Sequence, residues 1–414
     1  MDQNNFMGIL GSFAQPFYQV WWMVMPVLLF YLFAFLWDDY VKGEWSGKME
    51  WTMIEIIPPK DLEKGPKLME SIYQGLCGVV VSYNAFDEYV MGMFTDKFSF
   101  ELVGLGGEVH FYVRVQKKFR NLLEAQIYAQ YPDAEILEVD DYVNNFPRVV
   151  PNSGWNLWGS DMVLIKPDAY PLRTYDKFEE DITGTMIDPI AGFVELFAST
   201  PPGQNMWLQI IVQPLEEVWR KKSGAEKEIQ KLAGRAKESR GLWSDVTDVF
   251  TNLFKALWQP VEFPSTKKEE QPLEFRLTPV EKDVLKAVEE NLGKNQYKIK
   301  MRFIYVGKRE GFDMGYVTGF FGVTRQFNDL NLNGIKPDDS KTTAHFVAID
   351  TRLDTMKRRI YERYRKRNTD GKTFVFSTSE LATIYHFPDM AVRTPALSRV
   401  ESKRGTAPSN LPTA

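Results

Sequence analysis

Between Asp2 and Asp38 the chain carries no charged residue, and FAQPFYQVWWMVMPVLLFYLFAFLW (13–37) is apolar or aromatic at almost every position. A helix rises about 1.5 Å per residue, so roughly 20 such residues cross a hydrocarbon layer about 30 Å thick. The pattern predicts a membrane helix over Tyr18 to Trp37, with residues 1–40 as an anchor. Pro26 falls inside it and predicts a kink, which membrane helices tolerate. Trp21, Trp22, Trp37 and Tyr40 stand towards the two ends, where indole and phenol groups prefer the headgroup region. No basic n-region precedes the run, its apolar stretch outlasts that of a signal peptide, and no small-residue cleavage site follows. A retained anchor is therefore favoured, with a helix lying flat in the interface as the competing reading. Lys42, Lys48, Lys60, Lys64 and Lys67 follow the helix and no Lys or Arg precedes it. That bias predicts a single pass with the N-terminus outside and the bulk of the chain cytoplasmic.

Past the anchor the hydrophobic period changes. WTMIEIIPP (51–59) reads as a strand, and a helix capped by Asp61 is predicted to run to Gly75. FSFELVG and EVHFYVRV alternate on either side of Leu105-Gly106-Gly107, a hairpin. KKFRNLLEAQIYAQYP predicts an amphipathic helix ended by Pro132, and AEILEVDDY another strand. The order β-α-β-β-α-β is ferredoxin-like. A related pattern returns in 272–309: a strand, a helix opened by Thr278 and Pro279, then a strong strand, KIKMRFIYVGKR. The fold class expected is α+β: a single N-terminal transmembrane helix followed by duplicated ferredoxin-like or related modules. They span 41–235 and 272–398, joined by an amphipathic segment and linker at 236–271 and followed by a flexible tail at 399–414.

Composition and charge narrow the classes. The 414 residues carry a formal net charge of -5, which argues against a protein that coats nucleic acid with its whole surface. Cys77 is the single cysteine, so no intrachain disulfide can form. His110 alternates within a strand, and no pairing of histidines with Cys77 has a zinc spacing. Asp370-Gly371-Lys372-Thr373 ends like a phosphate loop, but the required earlier glycine is Lys366 and a strand follows where a helix should. It reads as a turn. Asp140-Asp141, Glu179 to Asp181 and Glu289-Glu290 read as solvated edges and caps. The chain therefore reads as non-catalytic, with no catalytic residue, cofactor or metal expected.

Two segments stand out as candidate contacts. RLDTMKRRIYERYRKR (352–367) places eight Lys/Arg and two acidic residues on a helix whose stripe is Leu353, Met356, Ile360 and Tyr364. The stripe alone explains a packed helix with a solvated basic back. Arg358, Arg359, Arg365 and Lys366 are equally candidate contacts for an anionic leaflet, for DNA or for an acidic partner surface. In FVFSTSELATIYHFP (374–388) Ser379 can cap a short helix ended by Pro388. Leu381, Ile384 and Tyr385 then give a small apolar face, either closing the second module or docking a partner.

Several stretches, in order, resemble one family. They are EIIPPKDLEKGPKLMESIYQGL (55–76), FSFELVGLGGEVHFYVRVQKKFRNLLEAQIYAQYPDAEILEVDDY (98–142) and DPIAGFVELFASTPPGQNMWLQIIVQPL (188–215), then KIKMRFIYVGKRE (298–310), FNDLNLNGIKP (327–337) and STSELATIYHFP (377–388). They resemble the membrane-anchored N-terminal partner modules associated with VirB-type or HerA/FtsK-like ATPases of conjugative, type IV secretion-like systems of the Patescibacteria type. The resemblance implies a bacterial inner-membrane location, a separate P-loop ATPase as partner and a homo-oligomeric ring or partial ring. In the larger relatives a segment like SELATIYHFP leads towards the motor, which this chain lacks. A structural part of an envelope or appendage assembly, and a membrane-associated nucleic-acid-binding module, are the alternatives.

Overall fold

The computed structural model describes residues 3–60, 65–178, 188–216, 278–338 and 349–390, with 392 and 399; before residue 21 only the backbone is described. The elements are α1 (Gln3–Gly47), β1 (Trp51–Ile57), α2 (Gly65–Leu76), α3 (Ala85–Tyr89), β2 (Phe98–Leu105), β3 (Glu108–Gln116), α4 (Arg120–Gln130), β4 (Glu135–Val139) and β5 (Trp155–Leu164). After them come α5 (Ala191–Ala198), β6 (Gln204–Pro214), α6 (Pro279–Leu292), β7 (Gln296–Lys308), α7 (Gly315–Thr324), β8 (Ile335–Pro337), α8 (Ile349–Arg365), β9 (Phe374–Ser377) and α9 (Thr378–Ile384). The Asp61 cap, the segment 236–271, the strand opening at 272 and the tail beyond residue 399 lie outside the described residues. The chain divides into two compact units, one of residues 1–51 and 79–96, the other of 52–78 and 97–414.

In the first unit α1 runs unbroken through Pro26 and extends beyond the predicted span at both ends. From Trp21 to Gly47 it is long and apolar enough to cross a membrane. Its side chains from Trp21 to Trp37 are exposed, Trp22 among them, while Val41 is buried. A Lys42–Asp38 pair at 2.8 Å follows Trp37, one turn apart on the helix.

Among the described residues the second unit is built on one nine-stranded sheet of order β4-β1-β3-β2-β6-β7-β5-β8, with β9 pairing β7. The order β4-β1-β3-β2 is that of the β-α-β-β-α-β reading, and Gly106 and Gly107, both at positive φ, form its hairpin turn. The duplicated ferredoxin-like organisation is not confirmed. β6, β5 and β7 continue the same sheet, and β5 runs antiparallel to β7, where the corresponding pair of a split βαβ unit runs parallel.

The sheet is covered on both faces, and strict alternation assigns each residue to one of them. Phe100 of β2 meets Tyr73 of α2 and Tyr385, while Phe303 of β7 stacks on Phe320 of α7 at 3.6 Å. On the opposite face Val103, Trp207, Ile304 and Val306 form a core with Ile360, Tyr361 and Tyr364 of α8. Gly159 lets α8 come close, since a Cβ there would stand 3.1 Å from Ile304 and 3.3 Å from Ile360.

Candidate functional site

Glu101, Gln209, Arg302 and Asp161 are apolar-strand anomalies that share one rung of the sheet. The register sets Glu101 of β2 opposite Gln209 of β6, Gln209 opposite Arg302 of β7, and Arg302 opposite Asp161 of β5. All four are fully buried on the α8 face. Arg302 Nε donates to Asp161 at 2.7 Å, and Lys300 Nζ lies 2.9 Å from the other carboxylate oxygen. Arg302 Nη1 donates to Gln209 Oε1 at 3.1 Å, and Gln209 Nε2 to Glu101 at 3.1 Å. Glu101 also accepts from Ser99 at 2.6 Å and from Tyr142 at 2.7 Å.

The C-terminus of α8 sits on this rung. Arg302 donates to the carbonyls of Arg363 and Asn368, and Gln209 to that of Tyr364, at 2.8–3.2 Å. Cations at a helix C-terminus meet the negative end of its dipole. The chain then leaves α8 through a Schellman turn, with Asn368 N donating to Arg363 O at 2.9 Å and Arg367 N to Tyr364 O at 3.0 Å. The left-handed position, usually glycine, is Arg367 at φ 49. Its guanidinium donates to Glu101 at 3.0 and 3.1 Å and to both oxygens of Asp141. Burial pushes the Glu101 carboxyl up, and the Arg367 charge with these donors outweighs it, holding Glu101 below the usual carboxylate range. Asp141, read from sequence as a solvated edge, is thus an ion-pair partner.

α8 resolves the four basic candidates. Arg358 and Arg359 are exposed, and among the described residues neither has a polar partner. Arg365 is half-buried, donating to Pro147 O at 3.3 Å with its guanidinium 5.7 Å from the Tyr361 ring centre. Lys366 pairs with Glu362 at 2.7 Å. The exposed basic face therefore centres on Arg358 and Arg359.

The segment 377–388 is interior, which corrects the docking reading of Leu381, Ile384 and Tyr385. Their exposures are 0, 1 and 0%, spent inside this chain. The N-cap is Ser377 rather than Ser379, with Glu380 closing a capping box. Gly65 at the start of α2 lies so near that a Cβ would collide with Phe387 O. His386 Nδ1 faces Ala382 O at 2.8 Å and Nε2 faces Asp188 at 2.6 Å, so both ring nitrogens meet acceptors.

Among the described residues no cation pairs with Glu380, and burial pushes its carboxyl up to about 7 despite donors from Ser377 and Leu172. Its native state keeps a proton that the unfolded chain releases near pH 4.5. Stability from this group is therefore greatest at low pH and falls as pH rises from about 4.5 to 7. Glu380→Gln should flatten that part of a stability-against-pH curve from denaturant melts; an unchanged slope would contradict the assignment.

Elsewhere, Lys372 of the phosphate-loop look-alike lies in a turn before β9, its Nζ 3.3 Å from Asp338. His110 lies in β3 with Nδ1 2.6 Å from Glu55. Among the described residues no group of three His, Cys, Asp or Glu is placed to hold a metal ion. Sequence reasoning missed Glu101, Asp161, Lys300, Arg302 and Arg367 as a set. The available signal was three alternating basic residues in KIKMRFIYV, Lys300 and Arg302 among them, with lone acids inside FSFELVG and WGSDMVL.

Residues 42–400 match the family model described as Domain of unknown function (DUF8128). None of the curated proteins matches the chain.

Proposed function

We propose that this chain, which belongs to the DUF8128 family, is a non-catalytic membrane-anchored subunit that presents a rigid α+β body to a partner at the cytoplasmic face of a bacterial inner membrane. The observation that carries the reading is a contrast: α1 exposes an apolar surface over a membrane's thickness, while the buried charges of the body pair with one another, holding α8 to the sheet. The finer proposal is that the partner is a separate P-loop ATPase of a secretion-like translocation machine, with homo-oligomeric assembly. It rests on the ordered sequence resemblance. The family match starts at residue 42, just past the apolar run, so the family likeness resides in the body.

Deleting residues 1–40 should move the protein from the membrane pellet to the soluble fraction; full membrane retention would defeat the anchor. Cross-linked native membranes, affinity-purified through this chain and identified by mass spectrometry, should yield a P-loop ATPase. Recovery of only envelope or appendage proteins would favour the structural alternative instead.

Exposed Arg358 and Arg359 favour a second reading, an anionic contact such as DNA. Arg358→Glu with Arg359→Glu should leave stability within about 0.5 kcal/mol, as for surface positions. In a fluorescence-anisotropy titration, DNA binding through this face would lose up to about two units of salt slope. Equal binding by wild type and variant would remove α8 as a nucleic-acid site.

A further inference from the structure

The segment 79–96 departs in sequence from the sheet-forming body, yet it groups with α1 as one compact unit. Two contacts tie it to the end of the apolar run. Trp37 Nε1 donates to Tyr89 O at 2.8 Å. Gly92, at φ 69, approaches Val41 so closely that a Cβ would collide with Val41 O. The segment is thus fastened beside Trp37, the tryptophan that closes the apolar run of α1.

What it exposes there is apolar. Phe86 is 61% exposed and Tyr89 58%, and Val81, Val90 and Met91 are exposed as well. Phe86, Tyr89 and Val90 stand at i, i+3 and i+4, one face of the short helix α3 and its C-cap. The acidic side chains are otherwise engaged or placed: Asp87 closes the capping box with Asn84, and Glu88 lies off that face. A water-soluble turn has no physical reason to offer five large apolar side chains. Tyrosine with phenylalanine and valine, held level with an interfacial tryptophan, suits the boundary between headgroups and acyl chains.

We infer that residues 81–91 form a second membrane contact, dipping their apolar face into the headgroup boundary on the side where α1 emerges. The inference rests on the reading of α1 as a membrane span. It makes the attachment two-point: a span that holds the chain in the bilayer, and a wedge that restricts rotation and tilt at its exit. Because the segment is acidic rather than basic, insertion depends on apolar burial and needs no anionic lipid.

The test uses the full chain with Cys77→Ser, reconstituted in phosphatidylcholine nanodiscs. An environment-sensitive fluorophore is attached to a single introduced cysteine, Phe86→Cys or Val90→Cys. Leu29→Cys marks the span and Arg358→Cys the aqueous phase. Labels at 86 and 90 should show blue-shifted emission and lose intensity to a spin label carried near the lipid headgroup, with aqueous iodide leaving them unchanged. Quenching of 86 and 90 by iodide, with 29 still quenched from within the lipid, would overturn the wedge and leave the anchor standing. Protection of 86 and 90 from both quenchers would mean a protein cover, a second copy or a partner, and would equally overturn it. Iodide quenching at 29 would overturn the span and the wedge together.

Discussion

Asp161→Asn should destabilise the body of the protein by about 3–5 kcal/mol, the range for removing one partner of a buried ion pair. The reason is that one carboxylate faces two cations: Arg302 Nε at 2.7 Å and Lys300 Nζ at 2.9 Å, with side-chain exposures of 0, 0 and 1%. Asparagine keeps the shape and one acceptor, so packing is preserved and the loss isolates the charge. Arg302 would still hold Gln209 and the carbonyls at the end of α8, but it and Lys300 would repel one another across the vacated pair. Denaturant melts of the full chain in detergent micelles would read the loss, with exposed Glu289→Gln as a control expected within about 0.5 kcal/mol. A loss below about 1 kcal/mol would show that water or a neighbour already screens the cluster. Replacing Asp161, Lys300 and Arg302 together by apolar residues of similar volume should recover much of the stability, because the desolvation of all three charges is then avoided. What would not return is the hold of Arg302 on the end of α8.

Much of the local structure was legible because its causes are local. The Gly106-Gly107 hairpin, the Thr278–Glu281 capping box with Pro279, and the long strand around KIKMRFIYV each follow from a few adjacent residues. β5 was not legible: Gly159, Ser160 and Asp161 break its apolar alternation, and only the packed structure shows that Gly159 admits α8 and Asp161 answers Arg302. The rung was illegible for a related reason. Glu101 and Arg367 are 266 positions apart, and charge alone cannot tell a solvated acid from one awaiting a distant arginine. SELATIYHFP shows the same limit from the apolar side. Its pattern says that Leu381, Ile384 and Tyr385 will be covered, but not by what, and the cover is this chain's own α2 and sheet. Register gives the rung a further role. A one-residue slip would turn Glu101, Arg302 and Asp161 to the other face among Phe100-type aromatics, so the charges specify one pairing over its neighbours.

Arg367 offers the sharper test, because local and long-range physics demand opposite residues there. On backbone grounds alone glycine is better at φ 49, where a side chain costs about 1–2 kcal/mol. Arg367→Gly should nevertheless be destabilising, by about 2–4 kcal/mol, since it strands Glu101 in the core without its cation. Arg367→Ala should be worse by about 1 kcal/mol, losing the ion pair while keeping the left-handed strain. Adding Glu101→Gln to Arg367→Gly should recover part of the loss, with a coupling energy above about 1 kcal/mol in the double-mutant cycle. The pH dependence separates this from simple loss of packing. In the wild type Glu101 is held below its ordinary value, so its contribution is present above about pH 4.5 and lost as pH falls through the native value. Without Arg367, burial dominates and raises the same group, so the variant should lose stability as pH rises from 4.5. Wild type and Arg367→Gly should therefore differ least in acid and most near neutrality. A constant difference across pH 4 to 8, or a glycine variant as stable as the wild type, would mean that the Glu101–Arg367 pair does not hold α8 to the sheet.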